Sequence, residues 1–294
     1  MLKPASRTGE FASGELPTLL VYAPRERART FVRNAFSKRK FKIVSARDIS
    51  EFREVFRSIL VDAALIDVGS ASAATSAGGE APSTGHSIAA TASDDTWKIA
   101  ALAHEFPSAP FFAISPMRAT DAPALARCAA LEFSDILVDG IDEPAARDIV
   151  GPRTFTSRFA AALAAPPQSL GLKTEMQLAT WRSILGSAGR PVRTAQLAKE
   201  VGVSREHLSR HFSAPGAPNL KRVIDLVRMI GAAELAKNPG LDIRDIARIL
   251  GFASSSHLAV TAQRVLGTRP ASLSRLRTVD LIERFTQGRT RSRG

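Results

Sequence analysis

Two stretches decide the fold of the C-terminal half: "TAQLAKEVGVSREHLSRHF", Thr194–Phe212, and "DIRDIARILGFASSSHLAVTA", Asp242–Ala262. Both run helix, Gly, apolar residue, Ser, helix, with Gly202 and Gly251 separated by 49 positions (251 − 202). Ala198 and Ala247 let the paired helices approach, the Gly permits a tight turn, and Ser204 or Ser254 can accept orphan N–H groups of the next helix. One such pattern is common in ordinary helical cores. Its repetition predicts two helix-turn-helix units.

Between them lies "PNLKRVIDLVRMIGAAELAK", Pro218–Lys237, with Leu220, Val223, Ile224, Val227 and Ile230 at helical spacing. These residues predict a connecting helix of about 30 Å. That is close to the roughly 34 Å between successive major-groove faces on one side of B-DNA.

Charge points the same way. The chain has 294 residues and a net charge of +12. Residues 1–150 hold 17 Lys and Arg against 19 Asp and Glu, net −2; residues 151–294 hold 23 against 9, net +14. Such an excess attracts phosphate backbones through counterion release, without choosing a sequence. A membrane surface would also attract it, but the cations are interleaved with turns and not laid along one amphipathic face. No apolar run reaches the roughly 18–20 residues of a membrane span, and the N-terminus lacks the apolar segment of a signal peptide, so a cytoplasmic location is expected. Cys128, the sole cysteine, lies in "LARCAALE" and is expected to pack inside a helix.

The N-terminal half alternates apolar runs with helical patterns. "PTLLVY", "FKIVS", "VDAALIDV", "PFFAIS" and "FSDILV" are each followed by a helical segment. Five strand–helix pairs predict an α/β fold with a parallel sheet covered on both faces. The Ser/Ala/Gly-rich segment after the third strand, which contains His86, is expected to be a flexible insertion. Helix breakers in "AALAAPPQSLGL", Ala161–Leu172, suggest a linker.

With "LAKEVGVSREHLSRHF", Pro218, "RMIGA", "DIARILGF" and "LGTRPASL" in order, residues 174–276 resemble the DNA-binding domain of AraC/XylS-family bacterial transcription regulators. The resemblance implies seven helices, promoter binding and control of transcription, with RNA polymerase as a further partner. Residues 16–150 resemble a response-regulator receiver, a flavodoxin-like fold, with Asp67 at the phosphoacceptor position and Ser115 at the hydroxyl position. The receiver's acidic pair is replaced by Tyr22 and Ala23, and its Lys by Asp139. Without those groups a phosphoryl transfer lacks charge stabilisation, so a pseudo-receiver serving dimerisation or signal input is expected. The alternative is a phosphorylation-dependent response regulator using Asp67.

The expected organisation is a disordered tail at 1–16, a receiver-like domain at 17–164 with an insertion at 70–94, and a linker at 165–173. A DNA-binding domain follows at 174–278, then a basic tail at 279–294, expected to add a short helix and a mobile basic end carrying Arg289, Arg291 and Arg293. The first recognition helix is expected to offer Ser204, Arg205, Glu206, His207, Ser209 and Arg210 to DNA, since Arg can bridge guanine O6 and N7 and Glu can accept from cytosine N4. The second offers Ser254, Ser255, Ser256 and His257. It departs from the family at Leu258, Val260 and Ala262, where an aromatic, an Arg and an aromatic are common, so it is expected to position the protein more than to read bases. The partner is double-stranded promoter DNA, with a homodimer through the N-terminal domain as an additional expectation. No cofactor, metal or enzymatic activity is expected. Two other classes compete with this reading. An enzyme fused to a DNA-targeting module would need Cys128 to be activated, and a charge-driven nucleoid or membrane-surface protein would show no sequence preference.

Overall fold

The computed structural model describes residues 16–69, 95–212 and 218–291. The expectations for the N-terminal tail up to residue 15, for the insertion at 70–94 with His86, for Arg293, and for the side chains of Arg289 and Arg291 lie outside the described residues.

The first half contains β1 (Thr18–Tyr22), α1 (Glu26–Ala35), β2 (Lys42–Ser45), α2 (Ile49–Ser58), β3 (Ala63–Asp67), and α3, described over 95–100. It continues with β4 (Phe111–Ser115), α4 (Ala122–Ala130), β5 (Asp135–Val138) and α5 (Glu143–Val150). All four strand pairings are parallel and the order is β2-β1-β3-β4-β5, the doubly wound arrangement expected from the alternating pattern. Because side chains alternate across a strand, Leu19, Val21, Leu65 and Ile114 meet Phe31 and Val32 of α1 and Ala146 and Val150 of α5 on one face. Leu20, Ala64, Ile66 and Phe111 meet Phe52 and Phe56 of α2, Ile99 of α3 and Cys128 of α4 on the other. Cys128 is 1% exposed, and burial pushes its thiol up to about 11.

Helix α6 (Phe155–Ala162) leads into the helical half: α7 (Glu175–Leu185), α8 (Thr194–Glu200), α9 (Arg205–Phe212), α10 (Leu220–Leu235), α11 (Ile243–Ile249), α12 (Ser255–Leu266) and α13 (Thr278–Arg291). Phe155, Phe159 and Leu163 belong to the same apolar cluster as Trp181 of α7, Leu208 of α9 and the connector α10. Leu281, Ile282 and Phe285 of α13 belong to it too, so this helix packs on the core through those three residues, while Val279 is exposed.

The connector differs from the sequence expectation. Helix α10 has 16 residues, about 24 Å at 1.5 Å per residue, against the 30 Å expected from Pro218–Lys237. At its start Asn219 is extended and its side chain accepts from Arg222 N, so the helix opens two residues after Pro218. At its end the Lys237 and Asn238 N–H groups turn back onto Glu234 O and Leu235 O. The chain thereby reaches Gly240, which abuts the first half.

The two halves are docked through backbone groups. Gly240 N–H donates to Glu105 O (3.0 Å) and Ser108 N–H donates to Asn238 Oδ1 (2.9 Å). Arg57 at the end of α2 donates to Gly240 O (3.3 Å), and Arg248 of α11 donates to Arg57 O (3.2 Å). Below the sheet the fully buried Asp62 accepts from Thr18 N–H (2.8 Å) and Thr156 N–H (3.0 Å), tying α6 to the strand starts.

Candidate nucleic-acid interface

The two turns close with the same hydrogen bonds. Val203 N–H donates to Ala198 O (2.9 Å) and Phe252 N–H to Ala247 O (2.8 Å). Gly202 N–H donates to Lys199 O (3.2 Å) and Gly251 N–H to Arg248 O (3.0 Å). This is the left-handed glycine termination of a helix, and Gly202 and Gly251 have φ of +73° and +60°. The following helix is capped alike in both units: Ser204 Oγ accepts from His207 N–H and Ser254 Oγ from His257 N–H, each at 3.1 Å. One more residue separates Gly251 from Ser254 than separates Gly202 from Ser204.

On α9, Leu208 and Phe212 are fully buried. Ser204, Arg205, Glu206, His207, Ser209 and Arg210 are all exposed. Arg205, Glu206 and Arg210 form no ion pair or side-chain hydrogen bond among the described residues. The helix is fixed from behind, where His211 Nε2 meets Thr174 Oγ1 (2.8 Å) and Gln177 Nε2 donates to His211 O (3.2 Å). Thr174 and Gln177 also form the capping box of α7. Ser183 of α7 is hydrogen-bonded to Glu200 at the end of α8.

On α12, Ser254, Ser256 and His257 are exposed and Ser255 is half-buried. Leu258 and Ala262 are both 0% exposed. Four residues apart, they share the face that packs on the core, so neither position is available to DNA. Only Val260, 64% exposed, faces outward where the family commonly has Arg.

The second turn is braced by the connector. The Arg228 guanidinium of α10 lies over the Phe252 ring at 3.8 Å and donates to Leu250 O (3.0 Å). Burial lowers its pKa, with Asp225 opposing. Asp225 also pairs with Arg264 of α12 at 2.9 Å. Asp242 caps α11 by accepting from Arg244 and Asp245 N–H.

At the C-terminal end of the sheet the residues at the receiver-like positions form a closed charge cluster. Asp67, 0% exposed, accepts from Arg25 Nε (2.8 Å), Arg25 N–H (3.1 Å) and Gly69 N–H (3.1 Å). Arg25 NH2 also lies 2.9 Å from Asp139, which Arg27 approaches at 3.0 Å. Burial works against the Arg25 charge, but the Asp67 hydrogen bond and the two carboxylates outweigh it and raise its pKa. Ser115 donates to Asp121 (3.0 Å) and accepts from Met117 N–H (3.0 Å). Arg25 and Arg27 carry no motif. Their signal in the sequence is the "PRER" run, Pro24–Arg27, shortly after β1, two cations just past Tyr22 and Ala23.

Among the described residues, no group of three His, Cys, Asp or Glu is placed to hold a metal ion, and no helix is long and apolar enough to cross a membrane. No curated protein matches the chain. Residues 197–275, which span both turns and both recognition helices, match the family model for a helix-turn-helix domain, of the AraC type. The match supports a DNA-binding transcription regulator, a kind of protein that is typically not an enzyme, with DNA as its partner and an AraC-type domain at its C-terminal end.

Proposed function

We propose that the chain binds promoter DNA with α9 as its reading helix and α12 as its positioning helix, passing a signal from the sheet half to transcription by RNA polymerase. The observation that carries this is the unequal exposure of the two helices. Arg205, Glu206, Ser209 and Arg210 are exposed on α9, the two arginines and the glutamate without an ion pair among the described residues, whereas α12 buries Leu258 and Ala262 and exposes short polar groups, His257 and Val260. The N-terminal turn of α12 suits phosphate contacts, which orient a protein without choosing bases. The sheet half acts as a pseudo-receiver, and as a homodimer contact, without chemistry at Asp67. Arg25 supports this, since its Nε and N–H groups, together with Gly69 N–H, already hydrogen-bond the carboxylate.

Genome-wide mapping of bound DNA, followed by affinity measurements on the recovered site, tests the division. Arg210→Ala should lose about 1–3 kcal/mol and relax preference at one base position. Val260→Ala should change affinity and preference little. Equally strong base constraint in both half-turns of the recovered site refutes it, as does binding with no preference over bulk DNA at physiological salt.

A further inference from the structure

Between the two halves lies a cleft of about 850 Å³, within the roughly 300–1,000 Å³ of small-molecule sites and at the kind of junction where they concentrate. It is lined by the starts of β1 and β2, by the end of α2, and from the helical half by Arg190, Pro191, Arg248, Ile249 and Gly251. Four cations line it, Lys38, Lys42, Arg190 and Arg248, and among the described residues no carboxylate does. Arg190 and Arg248 are partly compensated from outside the cleft, by Asp62 and by Asp245 at 3.3 Å. Lys38 and Lys42 are exposed and form no ion pair among the described residues. Between these charges the surface is apolar, with Phe41, Ile43, Ile59 and Leu60. Low-dielectric walls beside charges of one sign focus the potential on whatever enters.

We infer that this cleft binds an organic anion with an apolar body, such as an aromatic carboxylate, sulfonate or phosphate ester. An inorganic anion leaves the apolar wall unmatched, and a neutral apolar molecule leaves the lysines unmatched. The occupant would also touch the second helix-turn-helix. Gly251 is packed so closely on Pro191 that a Cβ there would sit 2.5 Å from Pro191 Cγ, so an occupant resting on Pro191 rests on the turn between α11 and α12. That coupling to DNA rests on the proposed function; the binding itself does not.

The test uses 8-anilinonaphthalene-1-sulfonate and its neutral counterpart N-phenyl-1-naphthylamine, titrated by fluorescence against the full chain. The sulfonate should bind saturably, one per chain, and at least about tenfold more tightly than the neutral compound. Lys38→Glu combined with Lys42→Glu, at two exposed positions, should weaken the sulfonate at least about tenfold with an unchanged circular dichroism spectrum. Non-saturable binding, equal affinity for the two compounds, or an unaffected double variant overturns the inference. None of these readouts involves DNA, so their failure leaves the DNA-binding reading intact, and failure of that reading leaves this site standing.

Discussion

Gly240→Ala should loosen the junction between the sheet half and the second helix-turn-helix by pressing on Phe106 at the margin of the sheet half's core. A Cβ at position 240 would lie 2.6 Å from Phe106 Cζ, 2.7 Å from its Cε1 and 3.1 Å from Glu105 Cβ. Carbon atoms settle about 3.5–4.0 Å apart, so the surfaces must separate by about 1 Å. Phe106 cannot yield easily, because it is 1% exposed and stacked on Phe56 with centroids 4.1 Å apart. Inserting a methyl group into a packed site costs about 1–3 kcal/mol, offset in part by the roughly 0.4–1 kcal/mol gained when a glycine's unfolded-state freedom is removed. A net loss of about 1–2 kcal/mol remains and falls on the docking contact. Since the position 240 N–H is bonded to Glu105 O, native-state hydrogen exchange reads it directly. Exchange at 240 should quicken about 5- to 30-fold, while the amides of Leu65 and Ile66 in β3 keep their protection. Unchanged exchange at 240 refutes the reasoning, and so does equal acceleration in β3, which would mean global destabilisation.

At Gly231 in the connector, an Ala Cβ would meet Ala188 O at 2.8 Å and Gly189 Cα at 3.1 Å, both backbone. Gly231→Ala should therefore lower stability in urea by about 1–2 kcal/mol despite the better helix propensity, whereas Gly288→Ala, with nothing within 4 Å, should not. Cys128 is held neutral by burial, with Arg127 opposing, and its folded pKa of about 11 lies above the ordinary thiol range. Its contribution to stability is thus complete below about pH 8.5 and fades as pH rises through about 11. Native alkylation at pH 8 should accordingly be slow and become fast in urea, and rapid native modification would contradict this. Acetyl phosphate with magnesium should leave the chain unmodified by intact-mass measurement; a phosphorylated species that Asp67→Asn abolishes would restore the response-regulator alternative.

Local chemistry made much of the fold legible. The helical spacing of Phe52 and Phe56 marks the buried face of α2, and the near-continuous apolar runs mark the strands. The two turns could be read because Gly202, Gly251, Ser204 and Ser254 act on their own backbone neighbours. What could not be read depends on distant partners. Arg25 meets Asp67 across 42 positions and Arg27 meets the Asp139 backbone across 112, so only the sheet order brings them together. The docking surface was hidden for another reason: it uses carbonyls and N–H groups of Glu105, Ser108 and Gly240, which leave no trace in side-chain pattern. At Leu258 and Ala262 family habit suggested groove-facing positions, and the helical register assigns them to the core.

The two helix-turn-helix units differ in what holds them as well as in what they expose. The first is fixed from within the helical half, through Thr174 and Gln177 on His211 and Ser183 on Glu200. The second is braced by Arg228 over Phe252, by Asp225 on Arg264 and by Pro191 against Gly251, and its first helix is bonded to α2 through Arg57 and Arg248. In the proposed division the unit with the stronger base-reading groups is therefore the one that Thr174, Gln177 and Ser183 brace from within the helical half. A change in the sheet half would reach DNA first through the positioning helix. Such a signal would shift how the protein sits on the duplex, and so its affinity across many sequences, before it altered which bases α9 prefers. A positioning helix can be built from Ser, Ala and Val because its task is to stay where the junction puts it.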